Sequence, residues 1–156
     1  MKGNSKIIAA LNEGLKAELT AINQYFLHGE MCQNWGYDRL YERTKKESID
    51  EMKHAEKLIE RILFLEGTPN MSEMFPIKIG GNVKAQLEND LSLELDAIAR
   101  YNAQIRLCTD LGDNTTRALI EELLADEEGH VDFLEAQLHQ IKEIGIERYL
   151  SQQIGG

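Results

Sequence analysis

The chain has few residues that break helices and none of the devices that brace a small fold lacking a core. Only two of its 156 residues are proline, so long helices can run uninterrupted. Two cysteines, Cys32 and Cys108, make neither a disulfide framework nor a zinc knuckle. Both fall in helical patterns and read as buried free thiols. No apolar run follows the opening Met1-Lys2-Gly3-Asn4-Ser5, and no stretch reaches the ~20 apolar residues of a membrane span. The expectation is no signal peptide, no anchor and a cytoplasmic location. Positive charge is also short: 17 Lys and Arg against 27 Asp and Glu leave a net charge of −10. There is no basic stripe of the kind that holds nucleic acid. The acidic balance instead suits a protein that attracts cations.

What is present is 42% hydrophobic residues among Leu, Ala, Glu, Lys and Gln, a mix that favours an all-α protein. Four stripes step by three and four residues, each marking one face of a helix. They run Leu11, Leu15, Glu18, Ile22, Tyr25; then Leu40, Thr44, Glu47, Glu51, His54, Leu58, Ile62, Leu65; then Leu87, Leu91, Glu94, Ile98, Tyr101, Ile105, Cys108; and finally Ile120, Leu123, Glu127, His130, Leu134, Leu138, Ile141. They predict helices near 4–34, 38–66, 82–111 and 114–143, with a short fifth helix near 146–152 after Gly145, all in one domain over 1–156. Asn34-Trp35-Gly36, Gly67-Thr68-Pro69-Asn70 and Leu111-Gly112-Asp113-Asn114 divide them, with Asp38 and Asn82 as expected caps.

The two halves repeat with an offset of 76: Leu15 to Ile22 aligns with Leu91 to Ile98, Tyr25 with Tyr101, Cys32 with Cys108, and Asp50-Glu51-x-x-His54 with Asp126-Glu127-x-x-His130. The chain therefore reads as two related helical hairpins. Residues 67–81 between them are too many for a tight turn. Extended, they reach ~50 Å, more than the ~43 Å length of a 29-residue helix. One long crossover along the bundle is expected, with Phe75-Pro76-Ile77-Lys78-Ile79 as its apolar underside.

Six residues on these stripes carry chemistry. Glu18 and Glu51 lie 33 residues apart about the Asn34-Trp35 turn, and Glu94 and Glu127 lie 33 apart about Asp110-Leu111. Residues equidistant from an antiparallel turn share one height, so each pair faces across its hairpin and the repeat brings both pairs to one level. His54 and His130 follow Glu51 and Glu127 by three, on the same helix face. One Glu from each of two helices and Glu-x-x-His from the other two is the ligand set of di-iron carboxylate bundles. Four carboxylates balance two divalent ions, and carboxylates with one imidazole per metal suit iron or manganese. By symmetry, Glu51 and Glu127 bridge, Glu18 with His54 binds one metal, and Glu94 with His130 the other, at the ~3.5–4 Å separation usual for paired metals. Two Fe²⁺ side by side can each give one electron to O₂ or peroxide. Tyr25 reads either as a hydrogen-bond or electron donor to this site or as a core tyrosine with a satisfied hydroxyl.

Asn23-Gln24-Tyr25-Phe26-Leu27-His28, Glu47-Ser48-Ile49-Asp50-Glu51-Met52-Lys53-His54-Ala55, Ile62-Leu63-Phe64-Leu65-Glu66-Gly67 and Asp126-Glu127-Glu128-Gly129-His130 closely resemble the bacterioferritin family. The resemblance runs along nearly the whole chain and implies a ferritin-like four-helix bundle. It also implies ferroxidase activity on Fe(II) with O₂ or peroxide, two Fe per subunit on the six residues above, and ferric mineral stored in a hollow shell. That shell is a homo-oligomer of dimers with about 24 subunits, and a ferredoxin-like electron donor is a possible partner. Met52 lies about 100° from the metal face, and periodicity alone makes it a flexible interface methionine. The resemblance implies instead that Met52 and its twofold mate are the axial ligands of one haem b shared between two subunits, in a pocket lined by Leu19, Asn23, Phe26, Ile49 and Ile59. Asp50 can guide iron inward, although Lys45 and Lys46 lie close by. The competing readings are a non-catalytic structural or haem-carrying shell subunit, which the intact set of six opposes, a haem-free ferritin, and a di-iron oxidase or peroxidase of the rubrerythrin type. The last adds a cysteine-rich iron module, and this chain has no Cys-x-x-Cys. Trp35, Tyr41 and Tyr149-Leu150 are expected to leave apolar surface for assembly.

Overall fold

A computed structural model describes residues 1–155; Gly156, the last residue of the expected domain, lies outside the described residues. Five helices follow in order: α1 Ser5–Asn34, α2 Asp38–Phe64, α3 Val83–Leu111, α4 Asn114–Ile144 and the short α5 Ile146–Ser151. No strand occurs among the described residues. The architecture is the expected four-helix bundle, in which α1 packs against α2 and α3, and α4 against α2 and α3, with a short helix at the C-terminal end.

The ends of the helices show why they stop where they do. Asn4, Asn82 and Asp113 each accept a hydrogen bond from a first-turn N–H, at 2.8, 2.9 and 3.0 Å, which satisfies an otherwise orphaned donor. Asp38 does not act as the expected cap: it is the first helical residue, and Tyr37 before it offers no side-chain bond. Gly112 closes α3 in the left-handed region at φ 72°, where a side chain is strained. The second helix stops at Phe64 rather than 66, because Glu66 turns left-handed at φ 63°.

The crossover runs the length of α1 and is fastened to it by side chains rather than by apolar packing alone. The backbone N–H groups of Asn70, Phe75, Lys78 and Gly80 donate to Asn12 Oδ1, Thr20 Oγ1, Gln24 Oε1 and His28 Nε2 at 2.8, 2.8, 3.1 and 3.0 Å. A segment without secondary structure has no ladder of its own, and this row of acceptors supplies one. Of the expected underside only Phe75 and Ile77 are partly buried. Ile79 is 53% exposed, because the hydrogen bonds, not an apolar face, set which way the strap turns.

Two apolar clusters fill the two ends of the bundle. One gathers Ile7, Leu11, Leu15, Leu58, Ile62, Ile120 and Leu123 with Tyr101 and Cys108. The other gathers Cys32, Leu40, Val83, Leu87, Leu134 and Ile141 with Tyr149. Tyr149 is therefore core, not assembly surface as expected. Its hydroxyl donates to Gln137 Oε1 at 2.7 Å, docking α5 back onto α4. Both cysteines are buried free thiols. Between the apolar clusters lies a polar layer, closed to water from both ends.

Candidate metal centre

The register of the hairpins brings all six chemistry-bearing residues into that layer. Glu18 comes from α1, Glu94 from α3, Glu51 and His54 from α2, and Glu127 and His130 from α4. None is more than 6% exposed, so bulk water solvates their charges poorly. Donor atoms of Glu18, Glu51, His54 and Glu127 lie within 4.8 Å of one another, and so do those of Glu51, Glu94, Glu127 and His130. The two groups share Glu51 and Glu127, one from each half of the internal repeat.

Both imidazoles turn Nδ1 inward. His54 Nδ1 lies 2.9 Å from Glu127 Oε1, 3.4 Å from Glu51 Oε1 and 3.6 Å from Glu18 Oε1. His130 Nδ1 lies 3.3 Å from Glu51 Oε1 and 3.6 Å from Glu94 Oε1. These approaches are close enough for attraction but are not aligned as hydrogen bonds. Glu18 Oε2, Glu51 Oε1, His54 Nδ1, Glu94 Oε2, both Glu127 oxygens and His130 Nδ1 are buried without a hydrogen-bond partner. Seven unsatisfied polar atoms in one dry layer are costly. They are the donors that a pair of divalent cations would satisfy, so the residues present fit such ions.

The protonation pattern reflects this crowding. Burial, then the neighbouring Glu18 and Glu127, pushes the Glu51 carboxyl well above the usual range. Burial and then Glu18 raise Glu127, against the opposing pull of His54. Burial also works to raise Glu18, but His54, Glu51 and Tyr101 together hold it below its ordinary value. For His54, burial opposes the charge, yet the adjoining carboxylates of Glu127 and Glu18 overrule it and push the imidazole up to about 11. Without metal, the cluster offsets its negative charge with protons.

Residues 8–144 match the ferritin-like domain family. The chain is 52% identical over 149 residues to a bacterioferritin of Brucella melitensis, covering 96% of this chain and 92% of that protein. It is 46% identical to a bacterioferritin of Mycolicibacterium paratuberculosis, over 97% and 96% of the two chains, and 44% identical to one of Rhodobacter capsulatus, over 93% and 90%. The chain belongs to the bacterioferritin family.

Around this bacterioferritin cluster stand residues that pattern reading missed or left open. Tyr25 is buried and donates to Glu94 across the bundle, not to Glu18 on its own stripe. Tyr101 donates to Glu18 in the mirror arrangement. Burial first, then nearby carboxylates, hold both phenols well above their usual range, so both stay protonated donors. Each phenol bonds Oε1 of its glutamate and leaves Oε2 free. The repeat that aligns Tyr25 with Tyr101 was the available signal. Asp126 Oδ2 sits 3.0 Å from His54 Nε2, and Asp50 Oδ2 sits 3.6 Å from His130 Nε2 and 3.2 Å from Lys46 Nζ. The aspartates preceding Glu127 and Glu51 thus each lie behind the histidine of the opposite helix, which the twin Asp-Glu-x-x-His motif could have suggested. Glu47 is a fifth buried glutamate. Arg43 Nε binds its Oε1 at 3.0 Å, while its Oε2, 3.7 Å from His130 Nδ1, has no hydrogen-bond partner.

Met52 lies apart from the six. It is half exposed on the outer side of α2, on a surface that also exposes Phe26 and Ile49. Leu19 and Ile59 are partly buried, and Asn23, exposed, donates to Leu19 O and to Met74 Sδ. No helix among the described residues is long and apolar enough to cross a membrane.

Proposed function

We propose that the chain, as a single domain over 1–156, is a cytoplasmic iron-storage subunit and a ferroxidase. Glu18 with His54 holds one Fe²⁺, Glu94 with His130 holds the other, and Glu51 and Glu127 are shared between them. The observation that carries this reading is the set of seven unpartnered, buried donor atoms on those six residues. The substrate pair supplies two electrons, enough to reduce one O₂ with two protons to hydrogen peroxide, and the Fe³⁺ product passes to a ferric mineral inside the shell.

The protein's part is to hold these donors ready. Asp126 and Asp50 at the Nε2 edges favour Nδ1 as the free, ligating nitrogen of His54 and His130, as carboxylates behind metal-bound histidines do. Tyr101 and Tyr25 fix Glu18 and Glu94 through one oxygen and leave the other for metal. The apolar clusters at both ends keep bulk water from competing.

The same reading extends to assembly and to haem. Phe26 at 60%, Met52 at 50% and Ile49 at 42% exposure form an apolar face on α1 and α2 of the kind a subunit interface covers. A thioether on that face is a soft, neutral donor, and Met52 would hold a haem b shared between two subunits. Bound there, haem would supply a path for electrons, drawn from a ferredoxin-like donor, to reduce stored Fe³⁺. Dimers of this form assemble into a closed shell of about 24 subunits.

The test is direct. Anaerobic titration with Co²⁺ should break at two ions per chain, and Glu18→Ala or Glu94→Ala should abolish rapid Fe²⁺ oxidation. Either variant keeping the wild-type initial rate would refute the ligand assignment.

A further inference from the structure

A cavity of about 300 Å³ lies between α1 and α3, next to the metal centre. Its apolar walls are Ala17 and Ala21 from α1 and Leu93 and Ala97 from α3, with Phe75 and Pro76 contributed by the crossover, and Thr20 and Gln24 add polar atoms on the α1 side. Glu18 and Glu51, themselves 2% and 1% exposed, also line it. Glu18 Oε2 and Glu51 Oε1, both buried and without a hydrogen-bond partner, are two of the donors assigned to metal.

We propose that this cavity is the binding pocket and entry path for dioxygen. The proposal rests on the ferroxidase reading and adds where its gaseous substrate waits. Three observations support it. The first is the asymmetry of the metal centre. Both imidazoles enter from α2 and α4 and occupy that side, whereas α1 and α3 contribute one carboxylate each, tethered by a phenol. The side of the cluster away from both imidazoles therefore faces α1 and α3, where the cavity lies.

The second is polarity. A small cavity with mostly apolar walls favours an uncharged, weakly hydrated guest over an ion that must shed its water. The third is charge. Besides Glu18 and Glu51, the charged residues along the cavity are Lys78, Arg100 and Asp96. Lys16 and Arg100 also sit over the Phe75 ring at 4.3 and 5.1 Å from its centroid. A net basic rim repels Fe²⁺ and leaves dioxygen unaffected. The cleft on the opposite side, between α2 and α4, is lined by Lys46, Asp50, Lys53 and Asp126, where an apolar molecule gains nothing.

Xenon is the probe, because it is uncharged and binds against apolar cavity walls. Metal-free assembled protein should show one saturable xenon site per chain, by crystal pressurisation or ¹²⁹Xe NMR. Ala97→Leu places three further carbons in the cavity and should remove that site. In stopped-flow oxidation at low dioxygen, the variant should lose about ten-fold in initial rate, while Co²⁺ still binds at two per chain. Ala17→Leu, on the facing wall, gives the same test should Ala97→Leu fail to fold. Absence of xenon in the wild type, or a wild-type dioxygen dependence in a variant that excludes xenon, would overturn the pocket alone. A wild type that binds two Co²⁺ yet oxidises no Fe²⁺ would instead overturn the ferroxidase reading, and this one with it.

Discussion

Loading metal should expel protons, and one of them identifies itself by persisting at high pH. A ligating imidazole must be neutral and a ligating carboxylate ionised. In the metal-free cluster His54 is pushed up to about 11 by its carboxylate neighbours, and Glu51 stands well above the usual carboxyl range. Near pH 7, filling the site should release about one to two protons per chain. The decisive condition is pH 8. An imidazole at the ordinary 6.5 holds about 0.03 proton there, whereas His54 at about 11 still holds a whole one. By linkage, one released proton makes metal affinity rise about ten-fold per pH unit. Anaerobic Co²⁺ added to weakly buffered protein, with an indicator dye or with calorimetry in two buffers of different ionisation enthalpy, reads the release. Less than a tenth of a proton at pH 8 would refute the reasoning. The sign for stability is opposite. His54 has a raised folded value, so its pairing with Glu127 and Glu18 stabilises the metal-free fold fully below 6.5 and is lost as pH climbs through about 11.

Asp126→Ala should weaken Co²⁺ binding about 10- to 100-fold by freeing His54 Nε2, more than Asp50→Ala does, since Asp50 is farther from its histidine and shared with Lys46; equal losses in the two titrations would contradict the ranking. Gly80→Ala should lower Tm, because its Cβ would stand 2.3 Å from Gln86 N, a backbone atom, at a cost of about 1–3 kcal/mol. An unchanged melting curve would show that the crossover yields freely. Met52→Leu should lose haem by absorbance while keeping both ferroxidase rate and assembly, and should release iron more slowly to an external reductant. Full haem occupancy would remove Met52 as the ligand.

Periodicity carried the bundle and the gathering of four glutamates and two histidines, because both are set by intervals along helices. The equal spacings about Asn34-Trp35 and Asp110-Leu111 place four glutamates at one height wherever two hairpins pack in register. Turn details carried less well. Asp38 is a good cap by type, but the chain enters α2 one residue earlier, at Tyr37. Tyr149 reads as exposed because it follows the break at Gly145, yet Gln137 satisfies its hydroxyl and α4 covers its ring.

The row on α1 was the least legible feature, and it has the widest consequence. Thr20, Gln24 and His28 recur every four residues and are at most 3% exposed, so they share a face without being apolar. Stripe reading discards such a face as solvated. Its partners are backbone N–H groups of the crossover, a segment with no period of its own, so no pattern in either segment announces the other. Asp90 completes the set from α3, accepting from Gln24 at 2.8 Å and contacting His28 Nδ1 at 2.9 Å. Since Gly80 N–H donates to His28 Nε2, Nδ1 must carry the proton, and one tautomer alone satisfies both contacts. This network joins the strap to α1 and α3, the same two helices that carry Glu18 and Glu94. The polar residues that tie down the crossover therefore also fix the separation of α1 and α3, and with it the walls of the cavity beside the carboxylate cluster.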